Sequence, residues 1–158
     1  MKIFIVRHAS AVERFSWDGD DTDRPLDDEG SNQSLMIAKY FSDTEISSIF
    51  SSAAVRCQQT IWPTAHQFGI QIELSNSLSE GSTSQTSDLV EKLAQGEISD
   101  ASPILCSHGD VISELIRSLT LKGMSTPKRK GFAKASVWEL SFSNGTIESG
   151  LYHDSHFR

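Results

Sequence analysis

Cysteine is scarce in this chain, with only Cys57 and Cys106 among 158 residues. Two thiols so far apart exclude a disulfide framework and a CxxC metal site, and two reduced, buried thiols are expected. Long apolar runs are missing as well. No stretch approaches the roughly 20 residues of a membrane span. The first apolar run, Ile3 to Val6, is closed by Arg7 and is too short for the core of a signal peptide. A cytoplasmic protein is therefore expected. Positive charge is in deficit, since 14 Lys and Arg face 21 Asp and Glu for a net charge of -7. Such a surface repels nucleic acid and anionic membranes, so neither is expected as a partner. An anionic ligand would need a local basic pocket set against that field. No repeat and no linker divides the sequence, and residues 1–158 are expected to form one domain.

What is present is an alternation of strand and helix. Lys2 to Val6 is short, continuous and β-branched, which predicts a buried strand. Residues 9 to 27 lack periodicity and form a long loop, a type that is usually functional. Helical spacing covers Asp28 to Phe41 and Ala53 to Phe68, the second with Pro63 as a possible kink and Gly69 as its C-cap. Strands are expected at 46–51, 70–74 and 103–107. Residues 75–87 read as a polar loop, 88–93 as a short helix, and a helix follows the fourth strand to Leu121. A basic loop spans 122–134. Asn144-Gly145 joins two alternating segments, Ser136 to Phe142 and Thr146 to Tyr152, as a hairpin. The pattern predicts an α/β fold: a three-layer α/β/α sandwich with a mostly parallel sheet and an antiparallel C-terminal edge.

Three cationic or imidazole elements follow strands. Arg7 and His8 end the first, Arg56 follows the second, and His108 follows the Ile104 to Ser107 run. Ligands of parallel α/β sheets bind at the carboxyl ends of the strands, so all three should meet at one edge. Helix N-termini after Ser51 and Ser107 would add N–H donors suited to an oxyanion. A neutral histidine nitrogen can attack phosphorus. Arg7 and Arg56 would hold His8 neutral by like-charge repulsion, and their forks match phosphoryl oxygens. His108, if protonated, adds a donor. This chemistry calls for no metal and no cofactor.

The same residues carry a resemblance. Arg7-His8-Ala9, the segment Ser51-Ser-Ala-Ala-Val-Arg56-Cys-Gln-Gln-Thr60 and Ser107-His108-Gly109 resemble the signature motifs of the histidine phosphatase superfamily, the phosphoglycerate-mutase-like fold. The Asp23-Arg24-Pro25-Leu26…Gly30 segment and Ala135-Ser-Val-Trp-Glu-Leu140 are similar to its short SixA-type branch. The resemblance implies His8 as nucleophile and Arg7, Arg56 and His108 as phosphate ligands. It implies a phosphohistidine phosphatase first, with a phosphatase of small phosphate esters or nucleotides as the alternative. It also implies that Arg24 reaches the phosphate or the substrate; otherwise Arg24 offsets its acidic neighbours. Mutases and many ester phosphatases of the superfamily carry a glutamate after the third strand, and Glu80 stands there. An alkoxide leaving group needs a proton, and imidazole needs one less. Asp110 is a rival acid, since another branch places an aspartate after the second histidine; here Gly109 intervenes, and Asp110 reads first as a helix N-terminal acid. The short chain favours a hydrolase over a mutase. A phosphorylated small molecule or a phosphohistidine protein is the expected partner. A non-catalytic phospho-ligand module would have been expected to lose one of Arg7, His8, Arg56 or His108.

Other features point elsewhere and carry less. Asp18, Asp20, Thr22 and Glu29 match some calcium-loop offsets, but Asp23 holds the obligatory glycine position. The acidic stretch 18–29 is expected to be an exposed flap or a solvated loop. His153 and His156 are spaced like a metal pair, but a frayed terminal tail is expected there. His66 is expected on a helix surface, and Lys128-Arg129-Lys130 in a solvated loop.

Overall fold

The computed structural model describes residues 1–96 and 101–155. Strand β1 (Lys2–Arg7) lies inside a six-stranded sheet of order β3-β2-β4-β1-β5-β6. β2 (Ile46–Ser51), β3 (Ile72–Leu74) and β4 (Ser102–Ser107) run parallel with it. β5 (Val137–Ser143) and β6 (Thr146–His153) form the antiparallel edge. This is the α/β sandwich the alternation predicts.

The continuous apolar run of β1 has a direct cause. Ile3 and Ile5 face one core, with the helical residues Val90, Ile112, Leu115 and Ile116. Phe4 and Val6 face the other, with Ile37, Phe41, Cys57 and Ile61. Helices α1 (Asp28–Tyr40) and α2 (Val55–Phe68) therefore cover one face, and α3 (Thr83–Gln95) and α4 (Gly109–Leu121) the other. Burying each large β1 side chain contributes about 1.5–3 kcal/mol. That offsets the several kcal/mol it costs to draw the charged end of the same strand out of water.

Local chemistry sets the ends. The Gly30 N–H donates to Asp27 Oδ1 at 2.8 Å, capping α1. Gly69 closes α2 at φ 65°, with its N–H on the His66 carbonyl and that of Ile70 on Ala65, a Schellman close. Ile70 thus finishes the helix, and β3 begins only at Ile72. Pro63 lies inside α2, which runs on to Phe68. Asn144 and Gly145 both take positive φ, as a two-residue hairpin requires.

The segment 75–87 departs from expectation. A single helical turn spans Asn76–Leu78 and α3 begins at Thr83, five residues before the expected helix. The buried stripe is Thr86, Val90 and Ala94. Thr86 counts as polar in sequence, yet its hydroxyl donates to the Ser77 and Ser82 carbonyls and the residue is fully buried. The tail expectation also fails for His153, which ends β6 opposite Val137 and contacts Glu139 Oε2 at 3.1 Å. His156 lies outside the described residues.

Candidate active site

Registers alone bring the strand ends together. Arg7 pairs with Ser107 across β1 and β4, and Ser51 with Cys106 across β2 and β4. Arg7, His8, Arg56 and His108 consequently share one sheet edge. His8 is locked by backbone bonds on both sides: its N–H reaches the Ser107 carbonyl at 3.0 Å, and its carbonyl accepts from Ala135 at 3.2 Å. Ala135 takes φ 64°, a strained position for a residue with a Cβ, and it abuts the nucleophile candidate. The Ala9 N–H donates to Thr60 Oγ1 at 2.8 Å, and that hydroxyl donates to the Arg56 carbonyl at 2.6 Å. Thr60 therefore ties the strand end to the helix that carries Arg56.

His8 is 7% exposed, and its Nδ1 lies 2.9 Å from the Ala9 carbonyl. A carbonyl only accepts, so Nδ1 carries the proton and the lone pair sits on Nε2. Burial, against the Ala9 bond and with the nearby His108, Arg56 and Arg7, pushes the imidazole down to about 3 from 6.5. Folded His8 stays neutral while unfolded His8 takes a proton below its ordinary value. Its share of stability is complete above pH 6.5 and drains as the pH falls toward 3. The slope is at most about 1.4 kcal/mol per pH unit. His8→Gln is expected to flatten the urea-unfolding stability curve between about pH 4.5 and 6.5 relative to the wild type; parallel curves would remove His8 as the titrating group.

Arg56 is 2% exposed. Its Nη1 donates to the Asp21 carbonyl at 2.8 Å, and its Nη2 lies 3.1 Å from Asp21 Oδ2, 3.4 Å from Glu80 Oε2 and 3.4 Å from His108 Nδ1. A guanidinium only donates, so in this arrangement His108 Nδ1 accepts and Nε2–H donates to Ser52 Oγ at 2.9 Å. The His8 and His108 rings lie 5.5 Å apart, edge to face. Arg7 Nη1 donates to the Phe132 carbonyl. A Cβ on Gly109 would lie 2.8 Å from Arg7 Cζ, so glycine lets this guanidinium rest on the first turn of α4. The buried Nε groups of Arg7 and Arg56 have no hydrogen-bond partner among the described residues. Two unmatched cationic N–H groups at the sheet edge that carries a neutral ring nitrogen are the donors a cradle for an oxyanion would use.

Glu80 sits at the mouth, half exposed, with its second oxygen 3.7 Å from Arg14 Nη2. Asp110 accepts from the Gly81 N–H at 3.2 Å and so holds the Glu80 loop. Arg24 is buried but turned away, donating to Asp21 Oδ1 at 3.0 Å and the Val12 carbonyl at 2.8 Å. Among the described residues it is linked to Arg56 through Asp21. The acidic stretch is thus partly structural, for Asp27 also accepts from Ser10 Oγ at 2.7 Å. Among the described residues there is no group of three or more His, Cys, Asp or Glu that could hold a metal. Cys57 and Cys106 are both free and buried, and Cys57 Sγ lies 3.6 Å from His108 Nε2.

Sequence reasoning missed Asp21, Arg14, Ser52 and Thr60. Ser52 and Thr60 stand inside the motif segment quoted above, which was the available signal. Asp21 had none beyond its place in an acidic run. Burial would raise its carboxyl, but the Arg24 hydrogen bond and the charges of Arg56, Arg24 and Arg14 bring it below the ordinary value.

A cradle of this kind at the strand ends of such a sandwich defines a class of phosphoryl-binding α/β proteins, and comparison with known proteins gives the family. The model of the histidine phosphatase superfamily (branch 1) matches residues 3–97, and the chain belongs to that superfamily. It is 29% identical over 151 residues to the 8-oxo-(d)GTP phosphatase of Mycolicibacterium smegmatis, covering 95% of this chain and 47% of that protein. The chain thus spans about half the length of that curated relative. Among solved structures, the protein histidine phosphatase SixA complexed with tungstate superposes with a TM-score of 0.76 at 21% identity, covering 98% of this chain and 95% of that one. A mycobacterial glucosyl-3-phosphoglycerate phosphatase complexed with VO3 gives 0.73 at 17% identity, covering 96% of each chain. These likenesses establish the phosphoglycerate-mutase-like fold. No helix among the described residues is long and apolar enough to cross a membrane.

Proposed function

We propose that this chain is a phosphatase that works through a phosphohistidine on His8. The observation that carries the reading is the neutral His8 ring, its Nε2 lone pair unprotonated, at the same sheet edge as Arg7 and Arg56, whose buried Nε–H groups are unmatched among the described residues. In the first step Nε2 attacks phosphorus in line, and the bond from phosphorus to the leaving oxygen breaks. That oxygen keeps the electron pair and takes a proton from Glu80. In the second step water attacks the phosphohistidine, the P–N bond breaks, its electron pair returns to Nε2, and the water proton passes to Glu80. Arg7, Arg56 and the α4 N-terminus balance charge on the equatorial oxygens.

A phosphate ester or anhydride is the substrate class this geometry favours. Glu80 shares an Arg56 nitrogen with Asp21, and an arriving phosphoryl dianion competes for that cation. A carboxyl group there supplies the proton that a leaving oxygen needs. Asp110 is already occupied by the Gly81 N–H. The second reading is phosphohistidine, supported by the likeness to SixA and by an edge that leaves Glu80 half exposed to a protein substrate.

Quenching the enzyme during turnover in chelator, then mapping acid-labile phosphate by mass spectrometry, tests the intermediate. Label on His8 is expected, and its absence during turnover overturns the reading. Glu80→Gln separates the substrates. A loss of about 100-fold is expected on a phosphate ester, with at most a few-fold loss on a phosphohistidine peptide. Equal losses would remove Glu80 as the leaving-group acid.

A further inference from the structure

Three arginines surround one carboxylate at the mouth of the cradle. Asp21 Oδ1 lies 3.0 Å from Arg24 Nε and 3.4 Å from Arg14 Nε, while Oδ2 lies 3.1 Å from Arg56 Nη2. Arg24 and Arg56 are buried and are also anchored on backbone carbonyls, of Val12 and Asp21. Arg14 differs. Its side chain is 62% exposed, and its charge faces two carboxylates, Asp21 and Glu80, that both also contact Arg56.

We infer that Arg14 is a specificity residue that grips a second phosphate, the one joined to the transferred phosphoryl group. The inference rests on the phosphatase reading above and names the substrate class within it. A phosphoryl group in the cradle brings two negative charges against Asp21 and Glu80, and it draws Arg56 away from both. Coulomb repulsion at such short range favours withdrawal of the Asp21 carboxylate, while Glu80 turns from Arg14 toward the leaving oxygen. Arg24 and Arg56 keep their carbonyl anchors, whereas Arg14 loses its partners and is free to turn. It stands one carboxylate's breadth from Arg56, the reach of one tetrahedral oxyanion. A group bridged to the transferred phosphorus by a single oxygen falls in that place. A phosphate there matches the guanidinium fork with two oxygens. A sugar hydroxyl or an imidazole in the same place offers Arg14 a single neutral acceptor, without the charge or the paired oxygens of a phosphate. The site then favours terminal phosphates of nucleoside di- and triphosphates, or of inorganic pyrophosphate, over isolated monoesters.

Equilibrium calorimetry with inorganic pyrophosphate and inorganic phosphate tests this on the full chain. The wild type is expected to prefer pyrophosphate. In Arg14→Gln the pyrophosphate Kd rises about tenfold while the phosphate Kd moves about twofold or less. Arg14→Lys, which keeps charge but not the fork, falls between. Arg117→Gln, a loss of equal charge at an exposed α4 residue paired with Glu114, leaves the preference as it was. In turnover, Arg14→Gln lowers the ratio of kcat/KM on a nucleoside diphosphate to that on the matching monophosphate, and the change falls on KM. A wild type without preference overturns the inference, and so do parallel losses on both ligands or an equal effect of Arg117→Gln. Calorimetric preference through Arg14 with no label ever found on His8 would uphold the subsite and refute the phosphatase. Label on His8 with no such preference would do the reverse.

Discussion

His8→Ala is expected to lower turnover of every phosphorylated substrate by on the order of 10^4-fold or more, the scale on which loss of a covalent nucleophile is felt. Nothing nearby replaces it. His108 presents Nδ1 to Arg56 and Nε2 to Ser52, so neither of its ring nitrogens faces the cradle with a lone pair to give. The fold should survive, because the imidazole contributes one local bond to the Ala9 carbonyl while the strand is held by backbone bonds to Ser107 and Ala135. Removing a ring that burial keeps neutral also removes a source of acid sensitivity. Stability at neutral pH is therefore expected to move by no more than about 1–2 kcal/mol. Steady-state kinetics beside a urea melt decides the matter. A residual rate above about one-hundredth of the wild type, in a folded variant, would take the nucleophile's role from His8.

Gly30→Ala is expected to act on the fold instead. A Cβ there would lie 1.8 Å from the Ser10 carbonyl oxygen and 2.9 Å from its carbon. The obstacle is backbone, so no rotamer change relieves it. The backbone itself is pinned: the Asp27 N–H reaches that same carbonyl at 3.2 Å, the Ser10 N–H reaches Gln33 Oε1 at 2.9 Å, and Ser10 Oγ donates to Asp27. Relief means tearing the loop after His8 from the start of α1. We expect a loss of about 3 kcal/mol or more, read as a fall of roughly 6–12 °C in Tm for a chain of this size. Activity should fall with it, because the displaced loop carries Arg14, Asp21 and Arg24. A Tm shift under about 3 °C would show that the junction yields. Gly69→Ala makes a useful contrast, since that position takes positive φ but meets nothing within 4 Å. It should cost only about 1 kcal/mol.

Most of the sandwich was legible because its central strands are buried on both faces and so read as unbroken apolar runs. Arg7, His8 and His108 were legible for the same reason, since each ends or directly follows such a run; Arg56 follows the half-polar β2 and was legible from the motif segment Ser51 to Thr60. The rest depends on contacts that leave no local trace. Asp21 meets Arg56 across a sequence separation of 35 residues, from a loop with no periodicity. α3 was read short because its inward stripe begins with a threonine, whose hydroxyl is satisfied by carbonyls that only the folded chain supplies. Arg24 was expected to reach the phosphate or the substrate, or else to offset its acidic neighbours; in the structure its side chain bonds Asp21 and the Val12 carbonyl.

One consequence follows from the bond between His8 Nδ1 and the carbonyl of the very next residue. In many enzymes a side chain from elsewhere fixes the proton on the working imidazole, and mutating that side chain scrambles it. Here the proton is fixed by the peptide group of Ala9, which every amino acid possesses. No substitution at position 9 can delete it, and only a shift of the main chain can. Nitrogen-15 resonances of this ring should therefore report a single tautomer across a wide panel of variants, and a mixed signal would mark those in which the turn after β1 has moved.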